Sequence, residues 1–171
     1  MATLQECEDY ARGKGADIAF CNGVVFRLKS IGITHEQILC AAILSQTKAS
    51  FDELFERFGR DVTVLATSIL KDDTLPKKRQ EEAYVTQLQN APWEAVLIKL
   101  CEISANLKLI KETELSKAKR KKLLSANIHY LNVLKSNIEQ NQDKALGLAK
   151  LLDGANETLV HFGRRPIDFA I

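Results

Sequence analysis

The chain is poor in the residues that build tight turns and sheet surfaces. It has eight glycines and three prolines in 171 residues, and aromatic residues make up only 6% of it. This composition disfavours a β-sandwich or a barrel, because both need many turns and many aromatic strand residues. Apolar residues account for 46% and charged residues for 27%, so disorder is not expected either. A length of 171 residues predicts one domain, spanning residues 1–171.

Long apolar runs and an excess of one charge are also absent. No stretch reaches the roughly 18 apolar residues that a membrane-spanning helix needs, and the first residues do not resemble a signal peptide. Lysine and arginine number 24 against 22 aspartate and glutamate residues, which leaves a formal charge of +2. So small an excess predicts neither a membrane nor a nucleic-acid partner. The one basic run, residues 117–122, is interpreted as the solvated start of a long helix.

Histidine is scarce, and cysteine occurs without any metal-binding spacing. The three histidines are His35, His129 and His161, and none stands in a recognisable catalytic pattern. The four cysteines are Cys7, Cys21, Cys40 and Cys101, with no CxxC pair among them. We interpret the cysteines as buried thiols of a soluble, cytoplasmic protein.

The dominant pattern in the sequence is helical periodicity. Ser50 with Glu53 and Thr34 with Gln37 have the spacing of capping boxes and mark two helix starts. Gly32 and Gly59 mark two helix ends, and the last helix is predicted to be interrupted or to end near Gly154. Apolar stripes predict helices from about residue 18, over 38–44, 51–58 and 61–70, up to about 89, from 92, over 116–140, and near the carboxyl terminus. We therefore predict an all-α domain of about eight to ten helices around one core.

Several segments agree, in order and spacing, with those of one known family. They are residues 32–34 with 38–44 (ILCAAIL), residues 51–59 (FDELFERFG), residues 72–77 (DDTLPK) and residues 97–107 (LIKLCEISANL). Together they resemble the HD-domain hydrolases that degrade the alarmone guanosine tetraphosphate, and most of all the small stand-alone enzymes of metazoan type. The resemblance is clearest over residues 18–110, and it implies an HD-like helical fold.

The resemblance also implies a chemistry that this sequence lacks the residues to perform. Members of the family remove the 3′-pyrophosphate of the alarmone with a Mn²⁺ held by two His and two Asp, and a Glu-Asp pair activates water. Here the ligand positions carry other residues, namely Phe20 or Cys21 or Asn22 for the first His, Ser45 and Gln46 for the His-Asp pair, and Glu102 for the last Asp. The catalytic pair is replaced by Ala49 and Ser50.

One carboxylate with a hydroxyl and an amide makes a poor divalent-metal site, since Mn²⁺ needs several anionic or imidazole donors. We therefore predict no catalytic residues, no metal and no cofactor. Glu102 lies on a core-facing stripe, so it must be paired with a neighbouring Lys or Arg or stay partly open to water. Cys21, near a lost ligand position, is interpreted as an apolar filler.

Two residues of the family pattern remain, Lys99 and Asn106. The resemblance implies that Asn106 lies near the nucleotide, so both are candidate vestigial nucleotide contacts. The alternative is that Asn106 braces its helix from inside the fold.

The leading hypothesis is a catalytically inactive HD-fold homologue that serves as a binding or regulatory protein, with a nucleotide or a protein as its partner. Two alternatives stay open. One is a divergent pyrophosphohydrolase that uses an altered site around Glu102. The other is a structural protein whose vestigial pocket is closed. Such a protein could be a homo-oligomer.

Overall fold

Helices occupy most of the chain, as the periodicity predicts. The computed structural model describes residues 1–171 and contains no strand. It has nine α-helices, which confirms the prediction of an all-α domain with eight to ten. They are α1 (Leu4–Gly13), α2 (Ile18–Ser30), α3 (Glu36–Leu44), α4 (Phe51–Phe58), α5 (Arg60–Thr67), α6 (Lys77–Gln89), α7 (Trp93–Glu112), α8 (Lys117–Gln140) and α9 (Leu148–His161).

Two capping predictions have opposite outcomes. Ser50 caps α4 as predicted, because its hydroxyl accepts a hydrogen bond from the Glu53 backbone N–H at 3.2 Å. The predicted capping box of Thr34 with Gln37 is wrong, since the cap residue of α3 is His35, whose side chain makes no capping bond. The His35 carbonyl accepts the first helical hydrogen bonds, so Thr34 lies outside the helix.

The predicted helix ends also have mixed outcomes. Gly32 and Gly59 have φ values of +91° and +81°, the left-handed region that favours glycine after a helix. The predicted interruption or end of the last helix near Gly154 is wrong, because α9 continues through this residue to His161. Apolar side chains are buried on both sides of Gly154, and this burial outweighs the roughly 1 kcal/mol that an internal glycine costs.

Helix α7 forms the centre of the fold. Eleven of its 20 residues are buried, since the helix is covered on several sides. Helices α2, α3 and α5 pack against one flank of α7, while α8 and α9 pack against it elsewhere, and α6 packs on α8. The first helix, α1, was not predicted from the sequence; it packs on α3 and α2. The residues predicted at the HD-domain ligand positions lie on α2, directly after α3 and on α7, and those predicted at the catalytic pair lie directly before α4.

No helix is both long enough and apolar enough to cross a membrane.

Candidate functional site

Ser45 and Gln46, which the resemblance assigns to the His-Asp position of the family, lie at the carboxyl end of α3, where their side chains form hydrogen bonds within the protein. Ser45 is buried, and its Oγ donates to the Ala42 carbonyl oxygen at 2.9 Å. Gln46 Nε2 in turn donates to Ser45 Oγ at 3.4 Å. These groups close the last turn of the helix, and they do not converge on a point where a cation could sit.

The three candidates for the first His position face different surroundings on α2. Phe20 is half-buried and lines a groove of about 210 Å³ between α2 and α7, next to Gly23 and Arg27. Asn22 is exposed, whereas Cys21 is fully buried. Burial raises the pKa of the Cys21 thiol to about 11, so the thiol stays protonated at neutral pH and is a poor ligand and nucleophile. None of the three offers a donor to a metal shared with α3.

Glu102, at the last ligand position, forms an ion pair with Lys99 one helical turn earlier. Lys99 Nζ donates to Glu102 Oε1 at 3.0 Å, and their side chains are only 9% and 16% exposed. Burial opposes the positive charge, but Glu102 and the Tyr84 hydroxyl together hold the pKa of Lys99 above the ordinary lysine value. The pair explains how a carboxylate is tolerated on this stripe, as the sequence required.

Two tyrosines enclose the Lys99 ammonium group. Nζ lies 5.6 Å from the ring centre of Tyr84 and 5.3 Å from that of Tyr130. The two rings meet edge to face, with centroids 5.3 Å apart. Tyr84 OH donates to the Ile69 carbonyl oxygen at 2.8 Å, which fixes the α6 side of this cage. Cation–π attraction therefore adds to the ion pair in holding Lys99 in place.

A second polar cluster continues from Tyr130 towards solvent. Glu81 Oε2 accepts hydrogen bonds from Lys71 Nζ at 2.7 Å and from Tyr130 OH at 3.2 Å. His129 Nε2 lies 3.2 Å from Glu81 Oε1. The hydrogen bond from Lys71 is the main cause that lowers the pKa of Glu81. Tyr130 thus joins the buried cage around Lys99 to an ionised carboxylate on α6.

An open cleft of about 340 Å³ lies between α7 and α8, and it contains both residues retained from the family pattern. Its walls are formed by Lys99, Asn106, Leu109, Ile110, Thr113, Leu115, Lys119, Leu123, Ala126, Asn127 and Tyr130. The volume is at the lower end of the range for small-molecule pockets, about 300–1,000 Å³. The apolar residues, the amides and the lysines together suit a ligand with both a flat face and an anionic group.

The two amide side chains in the cleft differ in the hydrogen bonds that they make within the protein. Asn127 Nδ2 donates to the Leu123 carbonyl at 2.8 Å, so Asn127 is anchored to its own helix. The side chain of Asn106 lies in the wall of the cleft and makes no hydrogen bond with the protein. It therefore does not brace α7 by hydrogen bonding, and its donors and acceptor are free to meet a ligand.

Sequence reasoning missed Tyr84, Asn127, Tyr130 and Lys119 as parts of this region. Asn127 and Tyr130 are three residues apart, a spacing that puts both on one helix face, and this signal was available. Periodicity does not indicate which side of α8 lies opposite Asn106, because that depends on how α8 packs on α7. The histidines His35 and His161 are exposed and lie outside the cleft.

The residues at the former ligand positions do not fit Mn²⁺. No three His, Cys, Asp or Glu side chains come together anywhere in the structure. Ser45 donates to its own helix, and Glu102 is already neutralised by Lys99. A divalent cation would have to displace both contacts to gain one carboxylate and one neutral oxygen. The donor set at these positions is therefore too weak for the metal that the family resemblance implies.

The helix order, the central α7 and the placement of α2, α3 and α7 around one position define an HD-like helical fold. A solved structure described as a metazoan ortholog of SpoT that hydrolyzes ppGpp and plays a role in starvation responses superposes with a TM-score of 0.75. The match covers 95% of this chain and 97% of that chain at 23% identity, and so concerns the fold.

A curated relative gives the sequence counterpart. The chain is 31% identical over 84 residues to guanosine-3′,5′-bis(diphosphate) 3′-pyrophosphohydrolase MESH1 of Xenopus tropicalis. The aligned region spans 47% of this chain and 47% of that relative, which is about half of each. No family model matches the chain. The two similarities confirm the predicted resemblance to HD-domain alarmone hydrolases of the MESH1 type.

Proposed function

We propose that this chain is a catalytically inactive homologue of the alarmone pyrophosphohydrolases that keeps the HD-like fold to bind a nucleotide in the α7–α8 cleft. The observation that carries the proposal is the ion pair of Lys99 with Glu102. Glu102 is the one anionic residue among the candidate ligand positions, and its charge is compensated within the protein.

Loss of catalysis follows from the requirement for an activated water. A divalent cation lowers the pKa of bound water to near neutrality only when several ligands hold it in place. Ala49 and Ser50 stand where the family carries the Glu-Asp pair, and Ser50 Oγ already accepts the Glu53 backbone N–H. Neither residue is able to remove a proton from water at neutral pH.

Retention of binding is supported by the open cleft. Asn106 presents an unused amide, and the apolar side chains of Leu109 and Leu123 offer surfaces for a base. Lys119, at the same cleft, supplies a positive charge near the amino end of α8, where anions are favoured. The open cavity speaks against the alternative of a structural protein with a closed pocket. The four free cysteines suit a reducing compartment, which supports the proposal of a cytoplasmic protein.

The first test is for hydrolysis. We expect no calorimetric signal on titration with Mn²⁺ and no pyrophosphate released from guanosine tetraphosphate with Mn²⁺ added. The Xenopus tropicalis relative, assayed in parallel, serves as the positive control. Mn²⁺-dependent turnover by this chain would replace the proposal with the divergent hydrolase.

The second test is for binding. Guanosine tetraphosphate at about 100 times its Kd should stabilise the folded state by about 2.7 kcal/mol and raise the Tm. Asn106→Ala should weaken binding about fivefold, because one good hydrogen bond is worth about 1 kcal/mol. Asn132→Ala is the matched control, since Asn132 is exposed on α8 and bonds only to the Ile128 carbonyl. If neither guanosine tetraphosphate nor GTP raises the Tm, the binding part of the proposal fails.

A further inference from the structure

Five cations belong to two segments that meet where the end of α9 contacts α8, and none of the five lines the cleft. Lys117, Lys121 and Lys122 come from the first turns of α8, and Arg164 and Arg165 come from the segment after α9. Together they are called the basic patch here. No carboxylate lies within ion-pair distance of any of the five, although several other lysines and arginines of the chain are paired.

The end of α9 brings the two arginines to α8. Gly163 has a φ of +71°, the Arg164 N–H bonds to the Leu159 carbonyl at 2.9 Å, and the Gly163 N–H bonds to the Val160 carbonyl at 2.9 Å. These two bonds form a Schellman motif, which turns the chain sharply after the helix. Arg164 Nη2 then donates to Ser125 Oγ on α8 at 3.2 Å.

A second contact joins the start of α8 to the end of α9. The guanidinium carbon of Arg120 lies 5.4 Å from the centre of the Phe162 ring, and Arg120 Nη2 donates to the Leu115 carbonyl at 3.3 Å. The α8 start and the α9 end are therefore joined by packing as well as by a hydrogen bond. Two segments that are far apart in sequence, each carrying exposed cations, thus lie next to each other.

The small net charge of the whole chain does not reveal that positive charges are concentrated in the basic patch. The whole chain has an excess of two positive charges, and the patch carries five, so the rest of the molecule has a net charge of −3. The expectation of no nucleic-acid partner rests on the average, whereas a partner responds to the local field. The amino end of α8, a helix of 24 residues, adds its dipole to that field.

The segments that carry the basic patch have no large exposed apolar side chains, which argues against a membrane or a protein as its partner. None of the large exposed hydrophobic residues lies within residues 113–126 or 161–166. A membrane-bound surface needs such side chains to insert, and protein interfaces are depleted of lysine and enriched in aromatic residues. Lys117 and Lys121 are one turn apart, about 6 Å along a rigid helix, so these two cations have a fixed spacing. Cations held at a fixed spacing suit a polyanion whose charges are also regularly spaced.

We propose that the basic patch binds the phosphate backbone of a double-stranded nucleic acid without reading its sequence. This proposal is independent of the cleft, since none of the five residues lines it. Binding of this type releases counterions, so the logarithm of the association constant falls linearly with the logarithm of the salt concentration, by about 0.9 per phosphate contact.

The test uses the full chain and a short DNA duplex of arbitrary sequence in fluorescence anisotropy at several salt concentrations. The patch variant is Lys121→Gln/Lys122→Gln/Arg165→Gln, all at exposed positions. The control is Lys77→Gln/Lys78→Gln/Arg79→Gln, which removes three exposed, unpaired cations from the first turn of α6. Both variants change the net charge equally, so only the location differs.

We expect the wild-type chain and the control to bind the duplex with equal salt slopes. The patch variant should lose about three units of slope and at least tenfold in affinity at low salt. Equal losses in both variants would show a mere net-charge effect and overturn the proposal. Absence of duplex binding would also overturn it, as would tighter binding to polyglutamate or to phosphatidylserine vesicles.

Discussion

The carboxyl end of α3 and the cleft between α7 and α8 both carry polar side chains at or beside positions that the HD-domain hydrolases use. At the end of α3, Ser45 Oγ is bonded to the Ala42 carbonyl and so serves the helix itself. In the cleft, Asn106 has no partner within the protein and faces an open cavity. A polar group that the fold has satisfied is part of its stability, whereas an unsatisfied one in a cavity is available to a ligand.

Glu102 lies at the boundary between the two regions, and its substitution should have the largest effect. Glu102→Gln leaves the Lys99 ammonium buried without a counter-charge, which should lower the free energy of unfolding by about 3 kcal/mol. Urea denaturation measures the change. Glu112→Gln is the control, because its pair with Lys108 is about 60% exposed and should cost less than about 1 kcal/mol. Equal effects of the two substitutions would contradict a structural role for the buried pair.

The thiol at the first ligand position predicts a pH dependence of stability. Cys21 has a pKa of about 11 in the folded protein, because burial disfavours the thiolate, and its ordinary pKa is near 9.0 when unfolded. The unfolded chain therefore loses this proton first as the pH rises. Its contribution is fully present below about pH 8 and is lost by about pH 11, a change of about 2 kcal/mol.

The measurement is the free energy of unfolding at several alkaline pH values for the wild-type chain and for Cys21→Ala. The loss between the ends of this range should be smaller in Cys21→Ala, because that variant has no thiol to titrate there. Asn22→Ala, at the neighbouring exposed position, should keep the wild-type dependence. If Cys21→Ala also keeps it, Cys21 does not titrate with the predicted shift.

The smallest predicted effect is the difference in stability between the alanine variants of Ser50 and Asn106. Ser50→Ala removes the hydroxyl that accepts the Glu53 N–H, and loss of such a cap costs about 1 kcal/mol. Asn106→Ala should change stability by less than about 0.5 kcal/mol, since no hydrogen bond within the protein is lost. Thermal unfolding of both variants checks the difference. A larger loss for Asn106→Ala than for Ser50→Ala would assign Asn106 a structural role.

Much of the helix pattern was predictable because it depends on local signals. The cap of α4 at Ser50 and the glycine ends at Gly32 and Gly59 need only neighbouring residues. The prediction at Gly154 is wrong for a nonlocal reason, since burial of the surrounding apolar stripe carries α9 across the glycine. Local propensity is a weak term that tertiary packing overrides.

The candidate site also combines features that depend on local sequence with features that depend on how the helices pack. The sequence predicted which residues stand at the family's ligand positions, and it left open whether Glu102 is paired with a neighbouring Lys or Arg or stays partly open to water. The structure places Lys99 there and adds Tyr84 and Tyr130, which come from α6 and α8. These two tyrosines belong to other helices than Lys99, so no helical spacing indicates the contacts.

The all-α class and the resemblance to the HD-domain alarmone hydrolases were readable from the sequence and are confirmed, while the replacement of the metal ligands stays a prediction from it. All three depend on residue identity and short-range periodicity. Only the tertiary structure decided that Glu102 is paired with Lys99, that Asn106 faces an open cleft, and that Arg164 joins the basic start of α8. Side-chain direction and long-range contact depend on how the helices pack against one another, and that packing is set by the whole core at once.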